Sequence, residues 1–385
     1  MREWLARQFE LSRGGAGHNV RSMEGLRGFA VFLVFLVHYA TLVNPWVLGN
    51  AFLHSFASAV HTMGNAGVDL FFVLSGYLIY GSLISRSQNF MRFMMRRVRR
   101  IYPAFIAVLV IYIGLSFVFP AESKIPSSLS SASVYLLQNF LLLPGLFPIE
   151  PLVTVSWSLS YEMFYYLAIP LLILFLDLRR RDAKWRVVFF SLVTAAVAAY
   201  CAFYGGHVRL IMFVSGILLH EALAGRSISP PGSVPAVLAL AAGLFSTILP
   251  VPGSAGYVLK IVILFAAFFT LCFTCFGHQS AWLPKAFSWT PLRWLGNMSY
   301  SYYLLHGLAL KSGFLVLSKI LGTAGSGVLV FWGMLPLMFA LTLIPSIGLF
   351  LLVERPFSLA PALEARKPLG QEKVIYSRNS QTGSR

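Results

Sequence analysis

Of the 385 residues, 57% are hydrophobic and only 11% charged, less than half the charged share of about 25% in a soluble domain. That composition excludes a soluble enzyme and predicts an integral membrane protein. The net charge of +17 would suit nucleic acid, but the basic residues stand in short clusters between apolar runs. No continuous basic face forms, which excludes nucleic acid as a partner and fits the positive-inside rule.

The chain opens with a polar segment, residues 1–20, in which Gly14-Gly-Ala-Gly17 reads as a flexible link. The first apolar run is too long for a cleaved signal and is expected to be retained. Ten runs are long enough to span a bilayer: 26–43, 66–84, 101–119, 157–176, 186–204, 208–223, 235–251, 257–276, 298–317 and 327–352. They predict an all-α polytopic bundle of about ten transmembrane helices over 21–357, with both termini cytoplasmic. With the N-terminus inside, 25 of the 30 lysines and arginines fall on the cytoplasmic side. Residues 358–385 lack apolar periodicity and predict a disordered cytoplasmic tail.

The charged stretch from Arg21 and the first run that continues it carry Glu24, Arg27 and His38. Eleven helical steps at about 100° bring Arg27 and His38 within about 20° of one face, roughly 16 Å apart. With Arg27 at the membrane edge, His38 lies near mid-depth, where an ionisable group is read as functional. The second run, entered from outside, carries Asp69, as a helix cap or a site residue, and Ser75-Gly76, as a close helix approach or a channel wall. Before the third run, Arg97 and Arg100 are three residues apart and can face one ligand. They serve either as a lipid anchor or as a polyphosphate site, since guanidinium forks suit phosphate oxygens.

The long outer segment 120–156 includes Val134–Leu146, too short to span and expected to lie at the interface or re-enter. Glu162 follows Trp157 and Tyr161 several residues inside the fourth run, and a carboxylate there needs a partner. Arg209 is one candidate for that partner. Cys201, Cys272 and Cys275 all lie in apolar runs, so a disulfide framework is excluded, and Cys272-Phe-Thr-Cys275 reads as packing rather than a metal or redox site. His306 closes a Ser299-Tyr-Ser-Tyr-Tyr-Leu-Leu-His stretch in the ninth run. No Gly-x-Ser-x-Gly elbow or Walker pattern occurs, so any chemistry must happen within the helices.

From Arg21 to Phe357 the chain resembles the bacterial acyltransferase-3 family of integral-membrane O-acyltransferases. The resemblance rests on Met23-Glu-Gly-Leu-Arg27-Gly with His38, Phe71-Phe-x-x-Ser75-Gly76, Arg97-x-x-Arg100-Ile-Tyr-Pro103, Trp157-Ser-Leu-x-x-Glu162, Ser299-Tyr-x-x-Tyr-Leu-x-His306 and Glu354-Arg-Pro356. It implies acyl transfer, often of acetyl, from cytoplasmic acyl-CoA to a hydroxyl of a carbohydrate or glycolipid at the outer face of the bacterial inner membrane. Acyl-CoA would be a co-substrate, with no permanently bound cofactor and no metal. On that resemblance His38 is the general base, a task suited to an imidazole near neutral pH. Arg27 and Glu162 would assist, Arg97, Arg100 and Ser75 would hold the donor, and Asp69, Trp157, Tyr161, Arg209 and His306 would line a pore or the acceptor side. The competing class is a secondary transporter or flippase of a lipid-linked glycan, which would share the spans and the buried charges.

Overall fold

The computed structural model describes residues 2–11, 18–225, 228–278, 280–321 and 327–359. The link at Gly14–Gly17 and the tail beyond 359 lie outside the described residues. The helices are α1 (Arg2–Phe9), α2 (His18–Val47), α3 (Ala51–Gly64), α4 (Ala66–Ile84), α5 (Phe90–Val118) and α6 (Leu129–Phe140). They continue as α7 (Trp157–Phe175), α8 (Ala183–Tyr204), α9 (Ile211–Gly225), α10 (Ser233–Ile248) and α11 (Gly253–Gly277). The short α12 (Trp282–Phe287) and α13 (Thr290–Asn297) precede α14 (Ser299–Leu321), α15 (Gly327–Leu349) and a terminal π-helix, Phe350–Leu359.

Nine helical segments among the described residues are long and apolar enough to cross a membrane. The tenth expected span is α10, only 16 residues long. Its run stops at Leu249-Pro250-Val-Pro252, where two prolines cannot continue a helical hydrogen-bond ladder. The second span is longer than expected. α3 and α4 form one segment, Ala51–Ile84, with Asn65 between them donating its side-chain amide to the carbonyl of His61 at 2.9 Å. Lipid explains the outer surface: α8 turns Val188, Leu192 and Phe203 outward, 57%, 64% and 82% exposed, a pattern that water would penalise.

α2 is the wedge of the bundle. Its Leu26, Ala30 and Val34 pack into one core with α4, α5, α7, α9 and α11. Its Val31, Phe35 and Tyr39 pack into a second core with α14 and α15. α4 reaches α9 almost backbone to backbone. A Cβ on Gly76 would stand 2.1 Å from the carbonyl oxygen of Phe213, and one on Gly216 would stand 2.1 Å from that of Val73. Only glycine allows that approach, which is the packing reading of Ser75-Gly76.

α1 docks on the same face as the π-helix, with Phe9 stacked on Phe350 at 5.6 Å and the Asn297 amide donating to the Phe9 carbonyl at 2.9 Å. Residues 134–146, expected to lie at the interface or re-enter, fall in α6 and the turns after it, with Leu142 and Gly145 at positive φ. α6 leaves Leu129, Val134 and Leu137 exposed.

Candidate functional site

Three arginines from two helices converge on one cavity of about 140 Å³, an order of magnitude more than one water requires. Arg27 comes from α2 and Arg97 and Arg100 from α5, joined by Ser75 (α4), Ser158, Glu162 and Tyr166 (α7), and Ser299, Tyr300 and Tyr303 (α14). The i, i+3 spacing on α5 does face both arginines to one space, as the sequence suggested. Asn89 caps α5, its side chain accepting from the Met91 amide at 2.8 Å.

Each arginine is held differently. Arg27 donates to Ser299 Oγ at 2.9 Å. Arg100 pairs with Glu354 at 2.6 Å, and Glu354 also accepts from the Ser301 amide and hydroxyl at 3.1 and 2.6 Å. Arg97 lies over the rings of Phe93 and Tyr166, at 5.0 and 5.2 Å, and its Nε is buried without a hydrogen-bond partner. A buried guanidinium nitrogen without a partner is costly and needs an acceptor. Glu162 accepts from Ser75 Oγ at 3.4 Å and from the Tyr166 hydroxyl at 2.5 Å. Ser158 and Tyr303 share a 2.8 Å hydrogen bond on the same wall.

His38 does not line that cavity. Its ring lies 4.9 Å from His306, edge to face. His306 in turn lies 6.1 Å from Tyr303, ring to ring, and Tyr303 lines the cavity. Tyr303 and His306 therefore stand between the arginines and His38. His306 is fully buried, and its Nδ1–H donates to the carbonyls of Tyr302 and Tyr303 at 3.0 and 2.9 Å. Carbonyls only accept, so Nδ1 carries the proton and Nε2 is a bare acceptor. That Nε2 is buried with no partner.

The remaining expected residues form a separate packed group. Arg209 pairs with Asp69, not with Glu162: its Nε and an Nη donate to the two carboxylate oxygens at 2.9 and 2.8 Å. Asp69 thus binds an arginine rather than capping α4. The Arg209 guanidinium lies 5.5 Å over Trp157, Trp157 meets Tyr161 edge to face, and the Tyr161 hydroxyl contacts His207 Nδ1 at 2.6 Å. Glu24 does not line the cavity with Arg27 and accepts from Arg293 Nε at 2.9 Å.

Glu354 and its π-helix belong to the site although sequence reading placed no role there. A π-helix inserts extra backbone per turn and is frequent at functional sites. Here it presents Glu354 to Arg100. A further buried carboxylate, Glu221 on α9, takes a two-pronged contact from Arg186 at 2.8 Å on each oxygen and the Tyr80 hydroxyl. Its position inside the short sixth run was the available signal. Cys201, Cys272 and Cys275 are buried free thiols.

An all-helical membrane bundle with arginines, a carboxylate and two histidines gathered among its helices defines the class. The chain belongs to the acyltransferase-3 family, whose acyltransferase domain matches residues 20–351. It is similar to the peptidoglycan O-acetyltransferase OatA of Listeria monocytogenes, 29% identical over 329 residues, covering 74% of this chain and 49% of that protein. It is also similar to the O-acetyltransferase OatA of Staphylococcus aureus, 27% identical over 321 residues with the same coverage. The putative peptidoglycan O-acetyltransferase YrhL of Bacillus subtilis is 25% identical over 323 residues, covering 74% of this chain and 48% of that one. The chain spans about half the length of these relatives. No solved structure matches.

Proposed function

We propose that the protein is a membrane O-acetyltransferase that moves acetyl from acetyl-CoA to a hydroxyl of a cell-wall glycan. The observation that carries this reading is the convergence of Arg27, Arg97 and Arg100 on one cavity, with Arg97 Nε buried and lacking an acceptor. Guanidiniums bind phosphate oxygens as forks, and a coenzyme-A thioester supplies phosphates at one end and the acyl group at the other. Family membership and the relatives' names support the reaction type; the peptidoglycan in two of those names makes a glycan hydroxyl the natural acceptor.

On this reading the donor's phosphates rest among the arginines, and its thioester arm reaches His38 only when Tyr303 and His306, which fill the interval, turn aside. The acceptor hydroxyl oxygen attacks the thioester carbonyl carbon, forming the ester C–O bond as the C–S bond breaks. His38 takes the hydroxyl proton and returns it to the departing thiolate, as general base and then general acid. Glu162, held by Ser75 and Tyr166, orders the donor side of the cavity.

Purified His38→Ala protein tests the base: transfer should fall at least about 100-fold, the usual contribution of such a group, with CoA binding kept. Unchanged transfer removes His38 from the reaction. Arg97→Ala and Arg100→Ala should each weaken CoA binding, and CoA binding that survives both returns this pair to a lipid anchor. A transporter would instead exchange substrate across vesicles without consuming thioester.

A further inference from the structure

One turn beyond His38, α2 borders a second cavity of about 200 Å³. Thr41 and Asn44 line it from α2, and His54, Ser58 and His61 line it from α3. Its chemistry is unlike that of the arginine cavity. Every polar group on its wall is a hydroxyl, a carboxamide or an imidazole, and no lysine, arginine, aspartate or glutamate contributes. A phosphate would find no guanidinium fork there. A sugar would find what it needs, because each sugar hydroxyl both donates and accepts, as do these side chains.

The cavity is an open groove, with Thr41, His54 and Ser58 exposed and Asn44 and His61 half-buried, and its groups are uncommitted. The side chains of Asn44, His54, Ser58 and His61 make no hydrogen bond among the described residues. Thr41 donates to the Val37 carbonyl at 2.9 Å and keeps its oxygen lone pairs. The cavity is next to the base: Thr41, three residues on, is a neighbour of His38 along the helix surface. His61 faces the same cavity from α3. Arg27, at the other end of the same helix, opens onto the first cavity, so His38 stands between a cationic site and a neutral polar one.

We infer that the α2–α3 cavity is an acceptor subsite that takes a neutral, hydroxyl-rich sugar and holds one hydroxyl beside His38. What happens to that sugar rests on the acetyl-transfer reading, but its binding does not. The experiment therefore measures binding first, on the full chain in detergent, with chitopentaose as the probe and no donor present. Asn44→Ala and His61→Ala should each weaken the sugar about tenfold, the effect of losing one or two hydrogen bonds. Ser58→Leu, which fills the space without removing an imidazole, should do the same. CoA affinity, measured in parallel, should stay within about twofold for all three, which also reports that they fold. Wild-type protein that does not bind chitopentaose at millimolar concentration, or variants that bind it as the wild type does, overturns the inference. A chain that binds the sugar through these residues yet leaves acetyl-CoA unconsumed overturns the acetyl-transfer reading and supports the subsite. Acetyl transfer to the sugar with an unchanged KM in the variants overturns the subsite and leaves that reading standing.

Discussion

Arg100 of α5 and Glu354 of the terminal π-helix meet at 2.6 Å. The Glu354 side chain is fully buried and that of Arg100 is 22% exposed. A buried carboxylate is tolerable only if its oxygens are satisfied, and Glu354 meets this with Arg100 and both donors of Ser301. Glu354→Ala should cost about 3 kcal/mol, the lower end for breaking a buried pair, because Arg100 still reaches the cavity. Glu354→Gln should cost less, since an amide oxygen still accepts from Ser301. Unfolding of the two variants, combined with Arg100→Ala in a double-mutant cycle, checks this. Additive effects would mean that the pair does not couple.

The contact between His38 and His306 makes a less usual prediction. His306 spends Nδ1–H on two carbonyls and leaves Nε2 buried without a partner. An unmet buried acceptor costs about 1–3 kcal/mol. His306→Phe keeps a ring of similar shape and removes both that acceptor and the Nδ1–H donor, whose two carbonyls lie in the preceding turn of the same helix. The variant should unfold no earlier than the wild type, and should gain stability up to that amount, while acetyl transfer falls. A clear drop in melting temperature would mean that the Nδ1–H bonds of His306 outweigh the cost of its unmet acceptor.

Asp69 and Arg209 should be far less exchangeable than their two-pronged geometry suggests. Asp69 stands in the first turn of α4, where the helix dipole favours a negative charge. Arg209 stands just before α9, where that dipole disfavours a cation unless a carboxylate offsets it. Asp69→Ala should therefore cost about 3–5 kcal/mol, as for a broken buried pair. The charge swap Asp69→Arg with Arg209→Asp should recover less than half of that loss, because both sites are helix N-termini and the relocated guanidinium would give up its hydrogen bond to the Asn65 carbonyl and its place over Trp157. Full recovery in thermal unfolding would show that pair geometry alone sets the energy.

The spans were legible in the sequence because a bilayer demands continuous apolar length, and the α5 arginines because helical spacing fixes which residues share a face. The pairings were not legible. Arg209 had two carboxylates within plausible reach, and nothing local to Arg209 chooses Asp69 over Glu162. Choice of partner depends on α4 and α9 meeting at Gly76 and Gly216, which is a packing outcome. Arg27 and His38 lie in one helix, α2, as the apolar run implied, yet the two side chains do not reach one cavity. α14 enters beside α2, and Tyr303 and His306 fill the interval between them. Glu354 was visible as part of a motif, but its direction depends on a π-helix, whose backbone departs from the 3.6-residue period on which facing arguments rest.

The glycines of α2 and α13 support one last prediction, about how the site is held. A Cβ on Gly28 would fall 2.0 Å from the Leu292 carbonyl oxygen, and one on Gly296 would fall 1.7 Å from that of Glu24. Both obstacles are backbone, so no side chain can swing aside, and relief would require α2 and α13 to separate. That separation would pull Arg27 away from Ser299 and Glu24 away from Arg293, so local overpacking would reach the site directly. Gly28→Ala and Gly296→Ala should each cost about 3 kcal/mol or more, at or beyond the usual upper range for overpacking. Gly333→Ala on α15, where nothing lies within 4 Å of the new methyl, should instead gain up to about 1 kcal/mol from helix propensity. Melting curves of the three proteins in one detergent make the comparison. A small, equal change in all three would mean that the α2–α13 contact is looser than its backbone distances imply.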